Sequence, residues 1–217
     1  MIFKFLKLNI TVEDAAFNEL YPRRIKRLAA RHWTPVAVAK FASEYLVDRP
    51  NKRVLDIGSG AGKFCLVGAA STTGRFYGVE QRASLVKLSK KIAERHYVTN
   101  VEFIHSNINK INFSDYEAFY FYNSFYENID SSCSIDKTIA PERELFYSYS
   151  KYVKEQLEKT PVGTRLVAYW SNWEEIPDSF KLEYAGCGGG IDFLAEDILA
   201  DSQINLLALK KQCSIVL

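Results

Sequence analysis

The sequence predicts an α/β fold, a doubly wound and mostly parallel sheet with helices on both faces. Three observations carry this. From about Lys52 onward, short β-type runs alternate with helix-type runs, the pattern of a parallel sheet with helical crossovers. A glycine-rich segment, VLDIGSGAGK (54–63), joins a strand-like run to a helix-like one. Residues 84–97 place apolar side chains at 85, 88, 92 and 96/97 with Lys87, Lys90, Lys91 and Glu94 between them, which is an amphipathic helix.

The elements follow in order. RVLDI (53–57) is the first strand, and residues 62–71 form a helix. RFYGVE (75–80) is the second strand, followed by the amphipathic helix, and VEFIH (101–105) is the third. Residues 117–122 form a fourth, apolar without strict alternation, as a strand covered on both faces should be. Pro141, with Glu142 and Glu144 behind it, marks a helix start, and Leu145, Tyr149, Val153 and Leu157 continue that helix. RLVAYW (165–170) is a fifth strand. Residues 180–185 and 205–210 supply two more, with a short helix expected over 191–199 and a flexible loop at GCGGG (186–190). Residues 1–50 read as a helical cap on the sheet, and 51–217 as the main body. In the cap, Thr34-Pro35 reads as an N-cap with proline at the first helical position of a helix over 36–47.

Composition narrows the function classes. At 47% apolar and 14% aromatic, the chain can bury a large core, and its 28 Lys+Arg against 26 Asp+Glu leave a formal charge of +2. That near balance gives no global field for nucleic acid or membrane. No apolar run is long enough to cross a bilayer. MIFKFLKLNI is interrupted by Lys4 and Lys7 and lacks a small-residue cleavage site, unlike a signal peptide. Cys65, Cys133, Cys187 and Cys213 are widely spaced with no CxxC, which argues against structural zinc and fits a reducing cytoplasm.

The glycine loop is the most informative segment. Glycines let a backbone turn sharply and approach a ligand, and the following helix N-terminus offers free N–H groups. A phosphate-binding P-loop would need glycine at Ile57 and Ser or Thr at Phe64. The dinucleotide pattern GxGxxG would need glycine at Lys63. Both fail. The pattern present is acid-x-G-x-G-x-G, with Asp56 two residues before Gly58.

At these residues the chain resembles the class I S-adenosylmethionine-dependent methyltransferases. LDIGSGAG matches their first motif and Glu80 in YGVEQ their ribose-binding acid. Asn107 in FIHSNI matches their adenine-side polar residue, and FYNSF (121–125) lies where their fourth motif does. The resemblance covers roughly residues 50–170. It implies a seven-stranded sheet with an antiparallel last strand, supplied by 206–210, and S-adenosyl-L-methionine as cofactor. It places Asp56, Gly58, Ser59, Gly60, Gly62, Glu80, Gln81, Asn107, Ile108 and Asn123 around that cofactor, with Asn123 and Tyr126 as catalytic candidates. Amine methyltransferases of this fold often carry N/D-P-P-Y/F here. Asn123-Ser124-Phe125-Tyr126 keeps the asparagine and the aromatics and lacks both prolines, so the acceptor atom stays open among N, O and C. The short motifs GSG-x-G and GVE also resemble the non-SET histone-lysine methyltransferases, a similarity confined to them.

Residues 123–140 are expected to form an ordered lid at the carboxyl end of the fourth strand, with Tyr122 and Tyr126 lining the sulfonium pocket. Arg23, Arg24, Lys26, Arg27 and Arg31 form a basic face, read first as solvated. His32, His96 and His105 show no metal-ligand spacing. The leading expectation is a methyltransferase acting on a small molecule or protein side chain. A non-catalytic cofactor-binding subunit and a nucleotide-dependent oxidoreductase are the competing classes.

Overall fold

A computed structural model describes residues 1–171, 175–187, 190–193 and 206–212. The strands are β1 (Arg53–Ile57), β2 (Arg75–Glu80), β3 (Val101–His105), β4 (Ala118–Tyr122), β5 (Arg165–Tyr169), β6 (Phe180–Cys187), β7 (Gly190–Phe193) and β8 (Leu206–Lys211). They form one sheet in the order β3-β2-β1-β4-β5-β8-β6-β7. β1 to β5 pair in parallel, and β8 inserts antiparallel between β5 and β6. This is the expected mostly parallel sheet with an antiparallel last strand. The addition is β7, which folds back antiparallel on β6. GCGGG is therefore not simply a loop, because Gly186 and Cys187 continue β6 and Gly190 opens β7. Residues 190–193 are strand where 191–199 was expected to be helix, and 194–199 lie outside the described residues.

Strand periodicity sorts the core into two layers. In β4, Ala118 and Tyr120 face one layer while Phe119 and Phe121 face the other. The first layer is covered by α1 (Ile2–Lys7), α2 (Asp14–Asn18), α5 (Val36–Leu46), α6 (Lys63–Ser71) and α7 (Ala83–Arg95). The second is covered by α8 (Arg143–Glu158) and by the 3-10 turns at 108–110 and 113–115. Phe119 and Phe121 are fully buried beneath α8 and these turns, as a two-sided strand requires.

The N-terminal residues are helical, but in shorter pieces than the pattern suggested. PRRIKRLAARH splits into α3 (Arg23–Lys26) and α4 (Ala29–His32). Thr34 does not cap α5. Pro35 occupies that position, and the Val36 N–H donates to the Asp14 carboxylate at 3.1 Å. The Thr34 hydroxyl is instead buried against Tyr120, with 2.7 Å between the two oxygens. Tyr120 also stacks on Phe64 at 3.7 Å between ring centroids. The N-terminal helices thus join the sheet through an apolar layer with one polar tie inside it. Removing one member of such a tie strands a buried hydroxyl, whereas removing both leaves none. Thr34→Val and Tyr120→Phe should each lose about 1–2 kcal/mol in urea unfolding. The double variant should lose less than the sum of the two singles.

Candidate active site

The carboxyl ends of β1, β2 and β4 open onto a cleft at the switch point of the sheet, where ligands bind in open α/β folds. Its empty volume, open mouth included, is about 960 Å³. Gly58, Gly60, Glu80, Gln81, Asn107, Ile108, Asn123 and Tyr126 line it. So do Trp33, His32, Arg82, Tyr122, Ser124, Glu127 and Tyr149. Asp56, Ser59 and Gly62 do not line the cleft.

The glycine loop is built from left-handed residues. Gly58, Gly60 and Gly62 have φ of +75°, +54° and +77°. A Cβ on Gly58 would sit 2.5 Å from the Ser124 Cβ, and one on Gly62 would sit 2.5 Å from the Phe103 ring. A Cβ on Gly60 would meet nothing within 4 Å. Gly62 therefore serves packing beneath the loop, while Gly60 faces open space at the cleft. Ser59 is half-buried in the loop, its Oγ buried and without a hydrogen-bond partner among the described residues.

Glu80 is 5% exposed and anchors the loop. One carboxylate oxygen accepts from the Gly60 N–H at 3.1 Å and the other from the Arg82 N–H at 2.8 Å. Burial pushes its pKa up, and the Arg82 and Gly60 amides and the Arg82 charge pull against that. Arg82, two residues after Glu80 and in no recognised motif, is a residue that sequence reasoning missed. Its guanidinium forks onto the Glu127 carboxylate at 2.9 and 2.7 Å and reaches Asp136 at 3.2 Å. Both carboxylates belong to the segment 123–140, which carries 3-10 turns at Tyr126–Asn128 and Ser131–Cys133. Gln81 also donates to Glu127, at 3.3 Å. The expected lid is thus ordered and tied to the end of β2. Burial lowers the Arg82 pKa, but Glu127, Glu80 and Asp136 outweigh it and the net direction is up.

Across the cleft, Asn107 donates to the Tyr149 hydroxyl of α8, and its oxygen accepts from the Asn109 N–H at 3.4 Å. Asn123 has a left-handed φ of 39°. Its carboxamide makes no hydrogen bond with the described residues, and its carbonyl accepts from the Tyr126 N–H at 3.3 Å. The Ser124 hydroxyl donates to the Ile57 carbonyl at the end of β1. His32 lines the cleft although its spacing gave no signal; His105 contacts the Gln81 carbonyl at 3.1 Å. Among the described residues no cluster of ligand-type side chains could hold a metal ion, and no helix is long and apolar enough to span a membrane. In the basic face, Arg23, Arg24 and Arg27 are exposed and Lys26 pairs with Glu19 at 2.8 Å. The Arg31 side chain lies outside the described residues.

Asp56 lies below the loop, 3% exposed, and accepts from the Cys65 thiol at 3.3 Å. Burial pushes its pKa up to about 7, from 3.8, with the Cys65 bond opposing and the Glu80 charge adding. The family models agree with this architecture. A model described as "Methyltransferase domain" matches residues 48–160, just over half the chain. The chain therefore belongs to this family, the class I S-adenosylmethionine-dependent methyltransferases.

Solved structures share the fold at low identity. TrmN from Thermus thermophilus superposes with a TM-score of 0.56 at 17% identity, covering 88% of this chain and 53% of that one. An RNA methyltransferase from Salinibacter ruber, in complex with S-adenosyl-L-homocysteine, gives 0.55 at 18%, covering 83% and 95%. SMU.1697c, a putative methyltransferase from Streptococcus mutans in complex with the same compound, gives 0.50 at 13%, covering 80% and 95%. The chain spans about half the length of TrmN. No curated protein matches it in sequence.

Two outcomes test this reading of the loop. Gly62→Ala should lose about 3 kcal/mol in urea unfolding, from strain plus overpacking, and Gly60→Ala about 1 kcal/mol from backbone strain alone. For Asp56, the folded state holds a proton that the unfolded chain has released between about pH 4 and pH 7, so its contribution falls as pH rises through that window. Asp56→Asn removes this slope. Unfolding followed across that range should show the variant gaining on the wild type by up to about 4 kcal/mol toward pH 7.

Proposed function

We propose that the chain transfers a methyl group from S-adenosylmethionine, held in the cleft between the glycine loop and the lid, to an acceptor presented at Asn123. The observation that carries this is Glu80, a buried carboxylate at the end of β2, fixed by two backbone N–H groups and facing the cleft. That arrangement suits a pair of ribose hydroxyls. The cleft fits the cofactor in other respects. Gly58 and Gly60 let the backbone come close to a ligand. Asn107 and Ile108 border one end, suited to an adenine ring. Tyr122 and Tyr126 flank the other, where an aromatic face favours a sulfonium. Residues 1–50 cap this site, with Trp33 as its wall, and residues 51–217 form the catalytic body.

When bound, S-adenosylmethionine supplies an already activated methyl group, so the protein's task is to orient the acceptor and exclude water. The lid, clamped through Arg82 and Glu127, provides the exclusion. The Asn123 carboxamide, which makes no hydrogen bond among the described residues, is the group that accepts from the acceptor and aims its lone pair. The acceptor is a small molecule or a protein side chain, with an amine nitrogen suited to the Asn123 oxygen.

Thermal shift with S-adenosylmethionine, S-adenosylhomocysteine, NAD and NADP separates this from its competitors. The two sulfur compounds should raise Tm, and a rise with a nicotinamide cofactor alone would overturn the proposal. Glu80→Ala should weaken S-adenosylhomocysteine by about tenfold or more in calorimetry. Asn123→Ala should leave that affinity within about threefold and lower methyl-label transfer into a cell extract by about 100-fold. A variant that loses cofactor binding instead would show that Asn123 holds the donor.

A further inference from the structure

A second cleft adjoins the first. It opens between α2, the N-terminal end of α6 and the carboxyl ends of β4 and β5. Trp33, Tyr122 and Asn123 line both clefts, so any occupant of the second abuts the donor site. Its other walls include Tyr169, Trp170, Lys63 and Asp14.

Two features mark it as more than a gap. The first is backbone strain. Tyr122 and Tyr169 are register partners at the ends of parallel strands. The residue after each, Asn123 and Trp170, takes a left-handed φ, 39° and 51°. Both line this cleft. For a bulky side chain that conformation costs roughly 1–3 kcal/mol. Folding recovers little of it from Trp170, whose side chain is 55% exposed. The exposed indole is thus open to a ligand at the cleft mouth.

The second feature is the chemistry of the walls. Trp33, Tyr122, Tyr169 and Trp170 are the aromatic walls, Trp170 the exposed one, with Tyr122 and Tyr169 4.8 Å apart between centroids. The charged lining residues, Lys63 and Asp14, are paired with each other, and Lys63 also donates to Asn18 at 3.1 Å. The Lys63 ammonium stands 5.6 Å from the Trp33 ring. A second cation against that ring would meet a like charge. An anion would meet aromatic faces and the half-exposed Asp14 carboxylate. A neutral flat ring meets neither penalty and gains stacking. The Asn123 amide, which makes no hydrogen bond among the described residues, is placed to read its edge.

We propose that this second cleft binds the methyl acceptor as a neutral, planar heteroaromatic ring, stacked on Trp170 with its polar edge at Asn123. The assignment of the ring as acceptor rests on the donor occupying the first cleft. The chain's near-balanced charge favours a free molecule over a nucleic-acid strand as the source of the ring. Calorimetric titrations with guanosine, indole, a short mixed-sequence RNA and tetramethylammonium distinguish these, on protein both free and saturated with S-adenosylhomocysteine. At least one ring-bearing probe should bind. Trp170→Ala should weaken it about tenfold or more, and Trp170→Phe should restore most of the loss. Neither variant should alter S-adenosylhomocysteine affinity more than about twofold. Binding of RNA but of neither free ring assigns the strand as source, and binding of a free ring assigns the free molecule. Failure of all three ring probes, preference for tetramethylammonium, or an unchanged affinity in Trp170→Ala overturns the proposal. Failure of the wild type to bind S-adenosylhomocysteine overturns the donor assignment instead, and the ring titrations on the free protein still judge the cleft.

Discussion

The contact on which the site depends is the approach of Gly58 to Ser124. β1 and β4 are neighbours at the point where the strand order reverses, so the loops leaving them diverge to opposite sides of the sheet. The two loops must nevertheless meet at their roots to floor the cleft. They do so because position 58 carries no side chain and position 124 carries a small one. A single added carbon at Gly58 would fall 2.5 Å from the Ser124 Cβ. The Ser124 hydroxyl then donates to the Ile57 carbonyl and binds the fourth-strand loop to the first. Everything on the cleft's floor takes its position from this seam.

Two buried charge groups extend the seam outward. On the cap side, Lys63 follows the glycine loop directly and pairs with Asp14 and Asn18 of α2. Burial depresses its pKa, and Asp14 supports the charged form. Asp14 also accepts from the Val36 N–H, so one carboxylate ties together two helices of the cap and the loop. On the lid side, Arg82 follows the second-strand acid and holds Glu127 and Asp136. Taking such charges from water is expensive, and it is offset only where the geometry satisfies most of the donors. The forked Arg82–Glu127 pair meets that condition. Both clamps therefore spring from residues beside the glycine loop and the end of β2, and they tie the cap and the lid to the cleft.

Much of this frame was legible in the sequence, and the illegible parts share a physical cause. β1 to β5 follow from local apolar runs broken by turns, and Val101–His105 falls where the pattern placed it. The places of Glu80 and Asn123 on the cleft follow from their position at strand ends. Lys63 and Arg82 could not be read that way, because a charged residue beside a motif normally faces water. Their burial depends on Asp14, Glu127 and Asp136, which are 49, 45 and 54 positions away. Asp56 shows the reverse. Its spacing to Gly58 pointed to the ligand, yet its side chain turns down toward Cys65 on α6. β7 was missed because the glycine-rich stretch before it has no strand propensity of its own and is recruited by pairing with β6.

The absence of proline after Asn123 takes on a structural meaning in this frame. A residue preceding proline is driven to extended backbone by the ring. Asn123 instead adopts a φ of 39°, which serine at 124 permits and proline would oppose. Proline would also lack the hydroxyl that bonds Ile57 and would add ring atoms where Gly58 leaves no room. Rigidity in this segment thus comes from the side-chain bonds of Ser124 and from the Tyr126 N–H closing on the Asn123 carbonyl. The exchange redirects Asn123 to the junction of the two clefts, beside Tyr122 and Trp33. Asn123 thus keeps the asparagine of the amine-holding motif without its prolines, at a backbone angle that proline at 124 would oppose.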